Sequence, residues 1–271
     1  IGSKVLISDN DNLIKLEKSK KLDIEFGKHS EKILESDFII ISPGISEKIN
    51  IIQKSKKLKI PIISEIEFSS WFTKSPILAI TGSNGKTTTT SLLYEIVKHA
   101  GYNAMIGGNI GIPFAKNVLN EKKMKIQKTV HILELSSFQL EHIKYFNPLV
   151  SCILNISPDH MDRYDSIDDY LKAKLNIAKN LVSPAWLVYN ADDSVLSTAL
   201  RDRHRTQLFS LLSSSQQVKY QLKNKKLYFK CDNNEKKDYL CINGTPLKGK
   251  HNVQNMIAAA TIANLFGIEN S

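Results

Sequence analysis

An apolar run, Pro76-Ile-Leu-Ala-Ile-Thr81, passes directly into Gly82-Ser-Asn-Gly-Lys-Thr-Thr88, and then into a stretch whose apolar residues Leu92, Leu93, Ile96, Val97 and Ala100 recur on one helical face. No other feature constrains the chain so tightly. A strand that ends in glycines and reopens as a helix turns backbone N–H groups toward an anion, and the helix N-terminus adds its partial positive charge. A lysine at the helix start reaches the terminal phosphates of a nucleotide, and the hydroxyl after it takes Mg²⁺. The pattern GxxxxGK[ST] asks for glycine at position 80, which is Ile80 here, so the match is to the shorter GxxGKT form. Gly82, Ser83, Asn84, Gly85, Lys86, Thr87 and Thr88 are therefore candidate ATP-binding residues, with Lys86 the central one. Gly101 stands where a glycine ends a helix.

The segments around this loop predict the fold. Strands are expected at 77–81, 103–106, 129–135 and 150–156, near-continuous apolar runs of the kind a parallel sheet covered on both faces requires. Further on, the pattern predicts a helix over 168–181, a strand Ala185–Tyr189, a helix from Ser194, an antiparallel pair Lys226–Phe229 and Tyr239–Ile242, and an Ala-rich helix Asn252–Phe266. The first 75 residues alternate likewise: strands Val5–Ser8, Phe38–Ser42 and Ile60–Ser64, with helices at Leu13–Lys21 and Lys48–Leu58, the last stopped by Pro61. The fold class is α/β, and the fresh strand at Pro76 sets domain boundaries at 1–74 and 75–271.

Length agrees with two domains, since 271 residues exceed one ordinary domain of roughly 100–200. A composition of 42% hydrophobic and 24% charged residues is that of a chain able to bury cores. Apolar stretches such as Leu149–Ile156 fall short of the roughly 18–20 residues a membrane span needs. Cys152, Cys231 and Cys241 have neither CxxC spacing nor histidine partners, which argues against zinc or a disulfide framework and for a reducing cytoplasm. The chain opens on Ile1 with no signal-peptide pattern and reads as a fragment. The net charge of +10 suggests polyanions, yet only four of 37 basic residues are Arg (Arg163, Arg201, Arg203, Arg205), and the guanidinium fork is what specific nucleic-acid readers use. The lysines crowd into residues 216–250 and read as a solvated hairpin surface, so no nucleic-acid partner is expected.

Two more strand ends carry polar groups. Ile132-Leu133-Glu134-Leu135-Ser136-Ser137 ends an apolar strand in a carboxylate, and Leu154-Asn155-Ile156-Ser157-Pro158-Asp159-His160-Met161-Asp162 follows another. Ligands of open α/β sheets gather at the carboxyl ends of the strands, so Glu134 and His160 are expected to converge on Lys86. Alone, Glu134 reads as a salt-bridged carboxylate and His160 as a loop histidine; beside a phosphate loop both become Mg²⁺ ligands. Asp159 and Asp162 are supporting candidates.

Four segments in this order, Gly82-Ser-Asn-Gly-Lys-Thr87, Gly107-Gly-Asn-Ile-Gly111, Leu133-Glu-Leu-Ser-Ser-Phe-Gln-Leu-Glu141 and Asn155-Ile-Ser-Pro-Asp-His-Met-Asp-Arg-Tyr164, resemble the Mur ligase family. The second and third resemble its D-glutamate-adding branch, and the resemblance runs from Val5 to Ile268. It implies an ATP-driven amide ligase of peptidoglycan precursor synthesis that phosphorylates the alanyl carboxylate of UDP-N-acetylmuramoyl-L-alanine. D-glutamate would then attack the acyl phosphate. It further implies two Mg²⁺ sites, one on Thr87 and Glu134 and one on His160, with catalytic roles for Lys86, His160 and Lys174. Lys174, in Tyr170-Leu-Lys-Ala-Lys174, matches the family lysine that becomes carbamylated; on its residue type alone it is a solvated helix lysine. By the same resemblance Asn109 and Ser136 match positions that contact the muramoyl-alanine part, Asn252 and Asn255 match positions near the ATP base, and Asp9, Asn10 and Gly44 match positions where the family holds the UDP moiety. Asn252 also reads as an N-cap of the Ala-rich helix. The implied architecture is an incomplete N-terminal Rossmann-like UDP-binding domain (1–74) and a P-loop-type, mostly parallel-sheet ATP-binding central domain with a small antiparallel element (75–271), the C-terminal domain being absent. Such a fragment is expected to be inactive alone, and the protein to be a cytoplasmic monomer.

Folylpolyglutamate synthetase is the nearest rival of similar fold, and the Ser136-Ser-Phe-Gln-Leu140 and Gly107-Gly-Asn-Ile-Gly111 segments speak against it. A nucleotide-binding regulator would have no need of Glu134, His160 and Lys174 together. An RNA-binding module would interleave aromatics with Arg, and residues 216–250 contain no Arg.

Overall fold

The computed structural model describes residues 3–11, 22–124, 127–159, 161–210, 220–223, 226–229, 239–241 and 249–268. The chain forms two compact units, residues 1–64 and 65–271.

In the first unit β1 (Val5–Asp9) pairs in parallel with β2 (Leu22–Phe26), and β3 (Ile39–Ile41) pairs in parallel with β4 (Ile62–Ser64). Helix α1 (Asn50–Lys57) contributes Ile51 and Ile52 to a small core with Ile33 and Ile41. The strands at β1, β3 and β4 lie where the apolar runs placed them, and β2 adds one not anticipated. The sheet expected to be buried on both faces is instead two parallel pairs, and Ile40, between two inward neighbours, is 44% exposed. The helix expected at Leu13–Lys21 lies outside the described residues.

The second unit starts ten residues before the expected break. Helix α2 (Glu65–Ser70) belongs to it because Ile66 is fully buried in its core and both acids are anchored there. Glu65 accepts the Ala115 N–H. The Glu67 carboxylate, fully buried, accepts the backbone N–H groups of Lys144 (3.0 Å), Tyr145 (2.8 Å) and Phe146 (2.8 Å) and the Trp71 indole N–H (2.8 Å).

Six parallel strands follow: β5 (Ile77–Thr81), β6 (Asn103–Gly108), β7 (Thr129–Glu134), β8 (Val150–Ile153), β9 (Trp186–Asn190) and β10 (Thr206–Phe209), ordered β10-β9-β8-β5-β7-β6. Alternate side chains enter two separate cores. Ile77 and Ala79 of β5, Leu133 of β7, Ile153 of β8 and Leu187 of β9 face α2, α4 (Phe114–Met124), α5 (Ser137–Glu141) and α6 (Ile167–Leu175). Leu78, Ile80, Ile132, Cys152 and Val188 face α3 (Lys86–His99) and α8 (Lys250–Phe266). Helix α7 (Ser194–Leu200) follows β9 and joins the first of these cores through Leu196 and Leu200. Burial on both faces explains the near-continuous apolar runs.

The expected helix over 168–181 is α6 followed by a 3-10 turn at Asn176–Ala178. The antiparallel element has three strands, β11 (Tyr220–Lys223), β12 (Lys226–Phe229) and β13 (Tyr239–Cys241), with β12 in the centre. Helix α8 begins two residues earlier than expected, with Gly249 as its N-cap, so Asn252 lies inside the first turn and is not the cap. Among the described residues no helix is long and apolar enough to cross a membrane.

Candidate functional site

The loop between β5 and α3 leaves the sheet beside β8, its nearest neighbour on that side. Gly85, the N-cap of α3, has φ +84°, and a Cβ there would lie 2.3 Å from Asn255 Oδ1, so only glycine suits both the left-handed backbone and the side chain packed on it. Asn255, in α8, is thereby placed on the phosphate loop, its side chain buried.

The loop is fastened to the segment after β8. Ser83 N–H donates to Asn155 O (3.0 Å), and Asn84 N–H donates to Asn155 Oδ1 (2.8 Å) while Asn155 Nδ2 donates to Asn84 O (3.0 Å). The Ser83 hydroxyl donates to Ser157 O (3.0 Å) and accepts the Ser157 N–H (2.9 Å). In the sequence Asn155 and Ser157 stand out only as members of a motif; their clamping role comes from contacts more than 70 positions apart.

Two lysines converge on one oxygen. Lys86 Nζ donates to Gly82 O and Ser83 O, each at 2.8 Å, and Lys174 Nζ donates to the same Gly82 O at 3.0 Å. Lys174, from α6, is 1% exposed, with its ammonium 4.4 Å from the centre of the Tyr170 ring. Burial lowers the Lys86 pKa against the opposing charges of Glu134 and Asp159. Burial, reinforced by the Lys86 charge and opposed by Asp159, brings Lys174 down to about 7. A buried amine of that pKa is substantially neutral at physiological pH and so carries a nucleophilic lone pair.

Glu134 ends β7 and is 2% exposed. Its Oε2 accepts the Thr87 hydroxyl at 2.8 Å, and its Oε1 accepts Asn109 Nδ2 at 2.9 Å. The Asn109 N–H also donates to Glu134 O at 2.7 Å, which fixes the Gly107–Gly111 turn against the strand end. Both side-chain donors are neutral. The oxygens of Thr87 and Glu134 form the hard, all-oxygen donor set that suits Mg²⁺ with phosphate.

Lys86, Thr87, Glu134, Asn109 and Lys174 are therefore brought together around the loop, with Asp159 near enough to act on both lysines. Thr88 continues α3 after Thr87. His160 lies outside the described residues. Ser136 is engaged in a capping box at α5, its hydroxyl accepting the Gln139 N–H at 3.3 Å. Asn252 sits one helical turn before Asn255. In the first unit, Asp9 ends β1 and accepts the Asp11 N–H (2.9 Å), Asn10 is exposed, and exposed Gly44 follows β3, so these lie at carboxyl ends of parallel strands. Sequence reasoning missed Asp193, whose carboxylate accepts the Ile156 N–H at 2.8 Å; its signal was the capping position before Ser194.

Residues 80–263 match the model of the Mur ligase middle domain. The chain is 37% identical over 267 residues to a UDP-N-acetylmuramoylalanine--D-glutamate ligase of Chloroherpeton thalassium, covering 92% of this chain and 56% of that protein. It is also 37% identical to the ligase of the same name from Christiangramia forsetii, covering 98% and 60%. The chain thus spans little more than half the length of these curated relatives. Among solved structures it resembles a UDP-N-acetylmuramoyl-L-alanyl-D-glutamate--2,6-diaminopimelate ligase (TM-score 0.61, 18% identity, 86% of this chain and 60% of that one). A MurF ligase from Thermotoga maritima in complex with ADP gives a TM-score of 0.55 at 15% identity, covering 89% and 66%. At such identities the likeness is one of fold.

Proposed function

The chain belongs to the Mur ligase family, and from that premise we propose that the complete protein is an ATP-dependent ligase joining D-glutamate to UDP-N-acetylmuramoyl-L-alanine in peptidoglycan precursor synthesis. The observation that carries the reading is the convergence of Lys86, Lys174, Thr87 and buried Glu134 on one glycine loop, in a chain 37% identical to proteins named for that reaction. A cytoplasmic, monomeric enzyme is part of the same proposal.

In this reading the first unit binds the UDP moiety through Asp9, Asn10 and Gly44, and the second unit binds ATP. Gly82 to Thr88 cradle the phosphates, Lys86 leaves its loop carbonyls for the terminal phosphates, and Asn252 and Asn255 approach the base. Thr87 and Glu134 hold one Mg²⁺ and His160 a second; the ions supply charge neutralisation for the phosphoryl oxygens. Asn109 and Ser136 orient the alanyl end of the sugar substrate.

A carboxylate resists attack by an amine, so the alanyl carboxylate first attacks the γ-phosphorus, the bond to the ADP oxygen breaks, and an acyl phosphate forms. The D-glutamate amine adds to the acyl carbon, loses a proton, and phosphate leaves with the C–O electron pair. Lys86 stabilises the charge on the transferring group, the usual source of rate in phosphoryl transfer. Lys174, with its depressed pKa, reacts as the neutral amine with CO₂, giving a carbamate and a proton, and so becomes an anion beside the metal sites. Incubation of the complete protein with ¹³CO₂ is expected to give a carbamate resonance that Lys174→Arg lacks.

The deciding experiment is phosphate release by the complete protein with ATP, Mg²⁺ and UDP-N-acetylmuramoyl-L-alanine, comparing D-glutamate, L-glutamate and no amino acid. Release that requires D-glutamate is expected. Release indifferent to the amino acid would remove the ligase reading, and undiminished ATP turnover in Lys86→Ala would remove the assignment of the loop.

A further inference from the structure

The segment from Leu154 to Asp159 does more than follow β8. It clamps the phosphate loop through Asn155 and Ser157, and it carries Asp159, whose charge acts on both Lys86 and Lys174. Its own height above the sheet therefore sets the geometry of the loop. The last N–H it gives to β5 is that of Leu154, to Thr81 O at 3.0 Å. Two residues later Ile156 points its side chain into the core, 6% exposed, and its N–H needs an acceptor that no strand supplies.

That acceptor comes from the next loop over. Asp193 stands between β9 and α7, and its two carboxylate oxygens do different work. Oδ1 accepts the Leu196 N–H at 2.9 Å, capping α7, and Oδ2 accepts the Ile156 N–H at 2.8 Å. The carboxylate is itself held in place, because the Asp193 N–H donates to Asn190 O (3.3 Å) and Asp193 O accepts the Ser197 N–H (2.9 Å). A helix cap needs one oxygen; the second is directed at the active-site segment. A charged acceptor makes the stronger hydrogen bond, and it holds a strand end more firmly than water would.

We propose that Asp193 is a positioning residue for the nucleotide site: through Ile156 it fixes the 154–159 segment, and through Asn155 and Ser157 that segment fixes the phosphate loop. Its role is indirect, exerted through the backbone of Ile156. The proposal rests on the reading of Gly82–Thr88 as a nucleotide loop.

The test uses two variants of the complete protein: one keeps the cap and loses the strap, and the other leaves a single acceptor for both donors. Serine caps a helix about as well as aspartate but offers no second oxygen, and asparagine has one carbonyl oxygen for two donors. Three quantities are measured on Asp193→Ser and Asp193→Asn: the thermal midpoint, the affinity for ADP with Mg²⁺ by calorimetry, and kcat with the KM for each substrate. The expected result is a midpoint lowered only by the few degrees that one lost buried hydrogen bond costs, a roughly tenfold loss in ADP·Mg²⁺ affinity and in kcat/KM for ATP, one hydrogen bond to a charged acceptor being worth about that much, and an unchanged KM for the UDP-sugar. Wild-type ADP affinity and turnover in both variants would make Asp193 a helix cap only and overturn the proposal. A loss that merely follows a fall in thermal midpoint, with all substrates affected alike, would overturn it too. If wild-type phosphate release proves independent of D-glutamate while ADP still binds, the ligase reading fails and the ADP titration still decides the role of Asp193.

Discussion

Replacing Glu67 by glutamine changes one oxygen to an amide nitrogen in a fully buried side chain. Oε1 serves the Tyr145 N–H and the Trp71 indole, while Oε2 serves the N–H groups of Lys144 and Phe146. Whichever way the amide turns, two donors lose their acceptor and face another donor. Each such group costs about 1–3 kcal/mol, so the loss is about 2–6 kcal/mol. With a midpoint shift of about 2–4 °C per kcal/mol for a unit of this size, a central value of about 4 kcal/mol lowers the melting temperature by roughly 8–16 °C. The assay is thermal unfolding of Glu67→Gln beside wild type, with hydrogen exchange read at the amides of residues 144–146. A midpoint within 2 °C of wild type, with protection at those amides intact, would refute the claim that this carboxylate pins the 144–146 turn to α2.

Other outcomes follow from the same structure. His131, fully buried on β7, shares a hydrogen bond with Glu121 (Nε2 to Oε2, 2.9 Å) while Nδ1 has no partner among the described residues. Burial lowers its pKa against the pull of Glu121, so the folded state binds fewer protons than the unfolded chain and stability falls as pH drops below the unfolded value of about 6.5, by at most about 1.4 kcal/mol per pH unit. His131→Gln is expected to flatten urea midpoints between pH 7 and 5; an unchanged slope would assign the acid sensitivity elsewhere. Gly85→Ala places a Cβ 2.3 Å from Asn255 Oδ1 in a left-handed backbone, and a loss of at least about 1–2 kcal/mol is expected in urea unfolding, together with weaker ADP binding. A variant as stable as wild type would mean that Asn255 does not pack on the loop.

The β5–loop–α3 unit was legible because each of its parts has a local cause: an apolar run, glycines, and a one-sided helix. Glu134 was legible because a carboxylate closing a buried strand demands donors, and Thr87 and Asn109 are those donors. The elements that escaped are those whose local signal is weak. Helix α2 is six residues long, and its sequence Glu65-Ile-Glu-Phe68 alternates like a strand; only the anchoring of Glu67 on a turn 77 to 79 residues away makes it a helix of the second unit. Strand β10 follows Arg201, Arg203 and Arg205 and gains its place by pairing with β9. The clamp of Asn155 and Ser157 and the strap of Asp193 are long-range side-chain contacts, and one-dimensional pattern carries no trace of which loops stand side by side at the top of a sheet.

The division of each central strand between two cores has a further consequence for how such a chain can change in length. In β5, Ile77 and Ala79 enter one core while Leu78 and Ile80 enter the other, and the same parity runs through β7, β8 and β9. One residue inserted or deleted between Pro76 and Gly82 would exchange the two sets and turn the first residue of the loop toward the wrong layer. Lineages of this sequence are therefore expected to vary that distance by two residues or not at all, and an alignment showing single-residue gaps there would mark a misplaced strand rather than a tolerated change.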